Sequence, residues 1–541
     1  MDNKMERLFE FCHNYPYVVC YGASDHGYCV KHFLENGGIK VKAFLVSDRV
    51  KENEVRDGLP VFSVQDCKIP LDKCGIVLSM YERHHQTVKR SLGKYCKKYQ
   101  GIYALKSNEL KVLRVSLINM RRDNILFSRI VDIDEINRKK YNDRIRQLQK
   151  KYSVVTLRYI DVRRLGGIAL WIYYCWEKEQ KKNRRYYLYY PVTHEHRPEE
   201  ELAGVNECLL QKLTADGIEV ISKKNVDFWR YFLKKRIDFF SISNEYATYG
   251  WNNKFCEMID NIECNGKLYV KLDENELLRG KKQLYAMDVT GEFVCISSRD
   301  PFYLQTLMRD PVKSDFRDDY RNSDIQRCVK AAEYLKKNRI RPIRIGAAVD
   351  KSFIGNEILD YTAMKYRTEF MDLYLVYTCK FFISDLSGIQ TFAMLFSKPM
   401  VILNAPLLTT RFDFIPFFSL CKDIAIFKKL WDSKNNRYLT IREMLKFEVD
   451  GFRYEENIGG NTFRLYKEQR IIPVDNTAME IFEVVKEMNE RLDGIRKYTD
   501  EEERLQTQYR KIVEEYPKKE NVLSSWRIGT EFLKKNKWLL D

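Results

Sequence analysis

The chain predicts an α/β fold built on parallel sheets, and three observations carry that expectation. Apolar runs of strand length alternate with helical stretches over most of the sequence. Turns rich in Gly, Ser and Asp follow several of those runs. Most telling is FFISDLSGIQTFAMLFSKPMVILN, Phe381 to Asn404, which places a buried strand, a polar turn, an apolar helix and a Pro399-led second strand in a row. Such a unit closes right-handed with parallel strands. Ligands of open parallel sheets lie beyond the carboxyl ends of the strands, where the turn Ser384, Asp385, Ser387, Gly388 falls. Ser387 is expected to cap the helix and Gly388 to let a ligand approach the backbone. Free N–H groups and the helix dipole would then favour phosphate, the dipole by about 0.3–1 kcal/mol. An ordinary capped helix with nothing bound fits this segment equally well.

The 541 residues predict two to four domains with ample length for large cores. Apolar content of 45% and aromatic content of 13% exclude a disordered chain. The longest apolar runs, such as Gly167–Trp176, are too short to span a bilayer. The N-terminal MDNKMERLFEFCHNYP carries early acids and no apolar core of signal-peptide length. Fourteen cysteines without CxxC or zinc-finger spacing predict reduced core residues of a cytosolic protein. The net charge of +17 suits acidic ligands or an anionic membrane surface. No helix-turn-helix, zinc-finger or RNP-type signature points to nucleic acid.

Residues 1–107 read as a small Rossmann-like domain. Tyr17–Tyr21 is a strand, Gly22-Ala23-Ser24-Asp25-His26-Gly27 a glycine turn, and a helix to about Asn36 leads to the strand Val41–Val46, ending at Asp48. That order matches the opening of a dinucleotide-binding fold, although Ser24 stands where the second glycine would meet a pyrophosphate. Residues 108–151 read as a basic helical connector, with Arg121, Arg122, Arg138, Lys139, Lys140, Arg144, Arg146, Lys150 and Lys151 giving it a solvated charged face. Residues 152–290 form a second α/β unit: SVVTLRYI as a strand, a turn containing Gly166 and Gly167, the helix Ile168–Glu179 and the strand Tyr186–Val192. Residues 291–541 form a third, beginning at the strand Glu292–Ser297. Two consecutive units of this size predict two lobes with a ligand between them.

Three further places in the third unit concentrate anion-binding side chains. Ser297-Ser298-Arg299-Asp300-Pro301-Phe302-Tyr303 follows a strand directly, and an arginine there can grip a diphosphate bidentately. Tyr320-Arg321-Asn322-Ser323-Asp324 heads the helix Ile325–Lys337, with Asn322 or Ser323 expected as its N-cap. Arg344-Ile345-Gly346 ends the strand Pro342–Ile345. Together with residues 384–388 they favour a phosphate-rich ligand. His194, Glu195 and Asp300 are candidates for a general base, and residue pattern alone does not choose among them. His194-x-His196 lacks an obvious third metal ligand, and no Asp-x-Asp motif ends a strand of the two lobes, so no metal site is expected.

The first domain resembles the small Rossmann-like domains appended to bacterial sugar-modifying enzymes, through Tyr21, Gly22, Ala23, His26, Gly27, Phe44, Leu45, Asp48, Gly58, Pro60 and Val61. The C-terminal half resembles a family of bacterial GT-B-type glycosyltransferases found with surface-polysaccharide enzymes. The resemblance rests on Val294 to Tyr303, Asp319 to Leu335, Ile343 to Gly346, Phe370 to Ile383, Ser387-Gly388 and Pro399 to Asn404. It continues in Asp475-Asn476-Thr477, Glu480-Ile481, Glu487-Met488, Arg527-Ile528-Gly529 and Phe532-Leu533. It covers about 290–541 well, and 152–290 loosely through Arg164 to Ala169. One departure stands out: Ser297 occupies the position of a histidine in the family pattern.

The resemblance implies a two-lobed GT-B fold after the Rossmann-like domain. It also implies transfer of a sugar from a nucleotide-sugar co-substrate to a surface glycan or lipid-linked acceptor, without a resident cofactor. Arg299, Arg321 and Arg344 would neutralise the diphosphate, helped by Tyr303, Asn322, Gly346 and the 384–388 turn. Gly166 and Gly167 would let the acceptor-side lobe close. The expected place is the cytoplasm, peripherally at the inner face of a membrane. Two other readings stay open: a polyol-phosphate transferase using a CDP-glycerol-like donor, and a non-catalytic nucleotide-sugar-binding scaffold, which the Ser297 and Ser24 departures motivate. A nicotinamide-dependent dehydrogenase built on the first domain is a more distant one.

Overall fold

A computed structural model of the chain describes residues 3–23, 25–47, 50, 53–80, 82–93, 95, 101–106, 109–110, 113, 134–161, 184–192, 206–222, 224–235, 240–242, 270–299, 322–346, 349, 353–385, 388–405, 423–447, 462–515 and 527–541. Within them the chain is a mixed α/β protein with two wholly parallel sheets, one parallel sheet edged by an antiparallel hairpin, and one small antiparallel sheet.

The first sheet contains β1 (Tyr17–Tyr21), β2 (Val41–Val46), β3 (Val55–Arg56), β4 (Leu59–Ser63), β5 (Cys74–Leu78) and β6 (Ile102–Ala104), in the order β3-β4-β2-β1-β5-β6. All pairings are parallel except the β3–β4 hairpin, whose turn places Asp57 and Gly58 at positive φ, 48° and 75°. The strands read as near-continuous apolar runs because both faces are covered. Val18, Cys20, Phe44 and Val77 pack on one side, and Val19, Tyr21, Ala43, Leu45, Ile76 and Leu78 on the other. Helices α1 (Asn3–His13), α2 (Asp25–Asn36) and α3 (His85–Leu92) complete this part. Gly22 ends β1 at φ 109°, and a Cβ on Gly27 would stand 1.9 Å from the Gly22 carbonyl oxygen. The glycine turn therefore lets α2 begin directly on the strand end. Ser24 and Asp48 lie outside the described residues.

Helix α4 (Glu135–Lys151) starts at Asp134, whose side chain accepts from the Asn137 amide at 2.7 Å. The sequence predicts a connector with a solvated charged face, and Arg138, Lys139, Lys140, Arg146 and Lys150 are exposed. The inner face, however, is built into the second unit. Ile145 and Leu148 join the core of Phe228, Trp229 and Phe232. The Arg144 guanidinium lies 3.9 Å from the Phe228 ring centre and binds buried Glu219, which also accepts from Tyr186 at 2.8 Å.

The second sheet, β7 (Val154–Asp161), β8 (Arg185–Val192), β9 (Ile218–Val220) and β10 (Phe240–Ile242), is wholly parallel in the order β10-β7-β8-β9. Helix α5 (Glu207–Lys212) lies between β8 and β9 in the chain, and α6 (Val226–Lys235) between β9 and β10.

The third sheet carries the candidate site. After α7 (Glu274–Ala286) come β11 (Phe293–Ser297), α8 (Val329–Lys337), β12 (Arg341–Arg344), β13 (Leu359–Asp360), α9 (Glu369–Thr378), β14 (Phe382–Ser384), α10 (Gln390–Leu395), β15 (Met400–Ala405) and β16 (Ile424–Phe427). Then come β17 (Lys429–Asp432), β18 (Arg437–Tyr438), α11 (Thr462–Gln469), β19 (Ile471–Val474), α12 (Ala478–Leu492), α13 (Asp500–Glu514), β20 (Arg527–Ile528) and α14 (Thr530–Lys535), with β17 pairing antiparallel to both β18 and β19. The seven parallel strands run β13-β12-β11-β14-β15-β16-β20. Capping boxes at Asp273, Thr477 and Thr499 start α7, α12 and α13.

The second and third units share one continuous apolar core, in which Tyr187, Tyr189, Leu209 and Leu210 join the interior around β11 and β14. Their helices also touch: Asn206 Nδ2 donates to the Glu369 carbonyl at 3.1 Å, and the Glu207 amide to Glu369 Oε2 at 2.8 Å.

Candidate functional site at the carboxyl edge of the seven-stranded sheet

In this sheet β12 and β13 lie on one side of β11, while β14, β15, β16 and β20 continue on the other. The order therefore reverses between β11 and β14, since the next strands in sequence, β12 and β15, lie on opposite sides of that pair. Open parallel sheets bind ligands at that point, outside the carboxyl ends. The last pair in register is Ser297 with Ser384, both buried. Ser384 Oγ donates to Gln390 Oε1 at 3.2 Å, joining the strand end to α10.

Just beyond that pair, hydrogen bonds gather three chain segments. The Arg299 amide and the Ser323 hydroxyl both donate to Asp385 Oδ2. The Ser323 amide donates to the Arg299 carbonyl at 3.2 Å, and Ser298 Oγ to the Ser323 carbonyl at 2.9 Å. Arg299 Nε donates to Asn322 Oδ1 at 3.3 Å. From the end of β16, Lys428 Nζ donates to the Asn322 carbonyl at 3.0 Å and pairs with Asp475 at 2.7 Å. Asp385 is 2% exposed, and burial pushes its carboxyl above the ordinary aspartate value, opposed by the Ser323 hydroxyl and the Arg299 amide.

Several expectations change on this geometry. The N-cap of the helical segment from Ile325 is Asp324, whose side chain accepts from the Gln326 amide at 2.9 Å, not Asn322 or Ser323. Those two are drawn instead toward Arg299 and Asp385. The N-cap of α10 is Ile389, which offers no side-chain cap, so Ser387 does not fill that position. With six residues, α10 is also too short for its dipole to hold an anion. Arg344 is 3% exposed and bound to Asp360 at 3.2 Å. Asp360 in turn accepts from the Phe353 amide and from Thr362. A guanidinium already neutralised in the interior is a poor phosphate ligand, and Arg344 is not retained as one. Gly346 contributes its carbonyl to Arg367 Nε at 3.0 Å. A Cβ on Gly388 would meet nothing within 4 Å, so the backbone there is open among the described residues. His194, Glu195, Asp300, Gly166, Gly167, Tyr303, Arg321 and Ser387 lie outside the described residues.

No family model matches the chain, and no curated protein matches it. Solved structures do. The bacterial iron-containing dodecameric glycosyltransferase TibC of enterotoxigenic E. coli superposes with a TM-score of 0.26 and 14% identity, covering 47% of this chain and 59% of TibC. The glycosyl transferase family 9 protein of Veillonella parvula gives 0.27 and 10%, over 47% of this chain and 81% of its own. The ADP-heptose LPS heptosyltransferase II of E. coli gives 0.23 and 10%, over 76% and 90%. Overlaps this loose assign neither activity nor donor to this chain.

Sequence reasoning passed over Ser323 as more than a cap and Lys428 altogether, and it met Asp475 only within the resembling stretch Asp475-Asn476-Thr477, with no role for it. A signal for Lys428 existed, since it directly follows the apolar run Ile424–Phe427. Among the described residues no group of three or more His, Cys, Asp and Glu side chains could hold a metal ion. None of the described helices is long and apolar enough to cross a membrane.

Proposed function

We propose that the chain is a GT-B-type glycosyltransferase that holds a nucleotide-sugar diphosphate at the carboxyl edge of the seven-stranded sheet. The observation that carries this reading is the position of Arg299. Its amide is tied to Asp385 at the point where the strand order reverses, and its guanidinium reaches the Asn322 side chain beside it. A cation fixed there can receive the charge that develops on a departing nucleoside diphosphate.

In the transfer, an acceptor hydroxyl oxygen forms a bond to the anomeric carbon. The bond from that carbon to the diphosphate oxygen breaks, and the electron pair leaves with the nucleoside diphosphate. The hydroxyl proton passes to a base, for which His194, Glu195 and Asp300 are the candidates. The nucleotide sugar is a co-substrate, and no resident cofactor enters this reading. The acceptor is a surface glycan or a lipid-linked intermediate. The exposed Lys139, Lys140, Arg146 and Lys150 on α4 support a cytoplasmic protein resting on an anionic membrane face.

Arg299→Ala should weaken binding of the preferred nucleotide sugar at least tenfold while the melting temperature stays within a few degrees. Unchanged affinity for every nucleotide sugar tested rejects the assignment. Turnover of CDP-alcohols in place of sugar nucleotides would move the chain to the polyol-phosphate transferases. Binding without turnover of any donor would make it a scaffold.

A further inference from the structure

Asp385 stands in the nucleotide site proposed above, yet its chemistry does not suit contact with a phosphate. A carboxylate set against a phosphate meets like-charge repulsion. Its Oδ2 is already occupied by two donors from within the chain, the Arg299 amide and the Ser323 hydroxyl. The side chain is 2% exposed, and Oδ1 has no donor among the described residues.

We infer that Asp385 is a positioning residue: it draws the chain after β11 and the segment 322–323 onto the end of β14, and so sets where the Arg299 guanidinium stands. Three further bonds close the same knot. They are the Ser323 amide to the Arg299 carbonyl, Ser298 Oγ to the Ser323 carbonyl, and Arg299 Nε to Asn322 Oδ1. Arg299 is thereby held through its backbone on one side and its side chain on the other. Ser323 becomes part of the site without touching the ligand.

This inference rests on the nucleotide-site reading, and its test separates the two. ADP, UDP, GDP and CDP are titrated calorimetrically into wild type, Asp385→Ala, Asp385→Asn, Ser323→Ala and the double variant Asp385→Ala/Ser323→Ala. The diphosphate that wild type binds should bind Asp385→Ala at least tenfold more weakly. Asp385→Asn should stay within about threefold, because its amide oxygen can accept from both donors. Ser323→Ala should lose about threefold and add nothing on top of Asp385→Ala, since both remove the same bond. Wild-type affinity in folded Asp385→Ala overturns the inference and leaves the nucleotide reading standing. Should Asp385→Ala fail to fold, Ser323→Ala decides, and wild-type affinity there overturns the inference equally. Absence of binding of all four diphosphates to wild type overturns both.

Discussion

The backbone amides of Asn404 and Asn476 each donate to the other's side-chain oxygen, at 2.6 and 2.7 Å. This reciprocal pair joins the end of β15 to the loop after β19, and Asn476 Nδ2 adds a bond to the Phe427 carbonyl at 2.9 Å. Both residues are buried, and Asn404 sits at φ 51°, a conformation asparagine tolerates better than most side chains. Asn476→Ala would leave the Asn404 amide and the Phe427 carbonyl without these partners. It should destabilise the fold by about 2–4 kcal/mol in urea unfolding. A loss below 1 kcal/mol would mean that water or another group replaces them.

Asp372 gives a pH dependence. It is 6% exposed on α9, and burial raises its carboxyl to about 6, against opposition from Arg367 and the Tyr361 hydroxyl. Glu369 also faces it and raises it further, while Arg367 Nη2 stands 3.3 Å from Oδ2. A folded value above the unfolded one means that the stabilising share is complete below about pH 4 and drains away as the pH rises through 6. Asp372→Asn removes that dependence. Relative to wild type, the variant should gain up to about 3 kcal/mol between pH 4 and 7.5, read from melting curves at both values. An identical difference at the two pH values would refute the buried-carboxyl account.

Gly280→Ala sets two effects against each other. Alanine in a helix interior is favoured over glycine by about 1 kcal/mol. A Cβ at this position of α7, however, would lie 2.0 Å from the ring of Tyr374 on α9, which is 4% exposed. A buried ring has no room to yield, so the clash should win by about 1–3 kcal/mol. A stabilised variant in urea unfolding would show that α7 and α9 separate easily.

Lys428→Met tests a buried cation. Lys428 is 2% exposed and bridges Asp475 and the Asn322 carbonyl. Removing one partner of a buried pair costs about 3–5 kcal/mol when the other stays dry. The Asp475 side chain is 23% exposed and can rehydrate, so about 1–3 kcal/mol is expected. Thermal melting checks the stability. A nucleotide affinity lowered with it would place Lys428 among the groups that hold segment 322–323.

The inner strands β11, β14 and β15 were legible because their residues are apolar on both faces, whereas β13 and β20, two residues each and half of them charged, left no such run. Phe293 to Ile296 and Phe381 to Ile383 could be read as buried strands, and the polar residues after them as strand-end turns. Helix starts were less legible. Asn322, Ser323, Asp324 and Ser387 are all competent caps, and only the packing decides that Asp324 is used while Ile389 begins α10 uncapped. Arg344 illustrates the same limit from the other side. An arginine at a strand end looks like a ligand-binding group until its partner Asp360, sixteen residues away, is seen. Lys428 and Asp385 owe their importance to contacts more than 60 residues distant in sequence, which no local pattern encodes.

The third sheet also carries a consequence at its flanks. Its outermost strands, Leu359–Asp360 and Arg527–Ile528, are two residues long each. Among the described residues, a neighbouring molecule therefore finds scarcely any unpaired ladder to extend at either border. Truncation is a subtler hazard: a chain ending before Arg527 would bare the four-residue apolar strand Ile424–Phe427, offering a sticky rim through which copies could zip together.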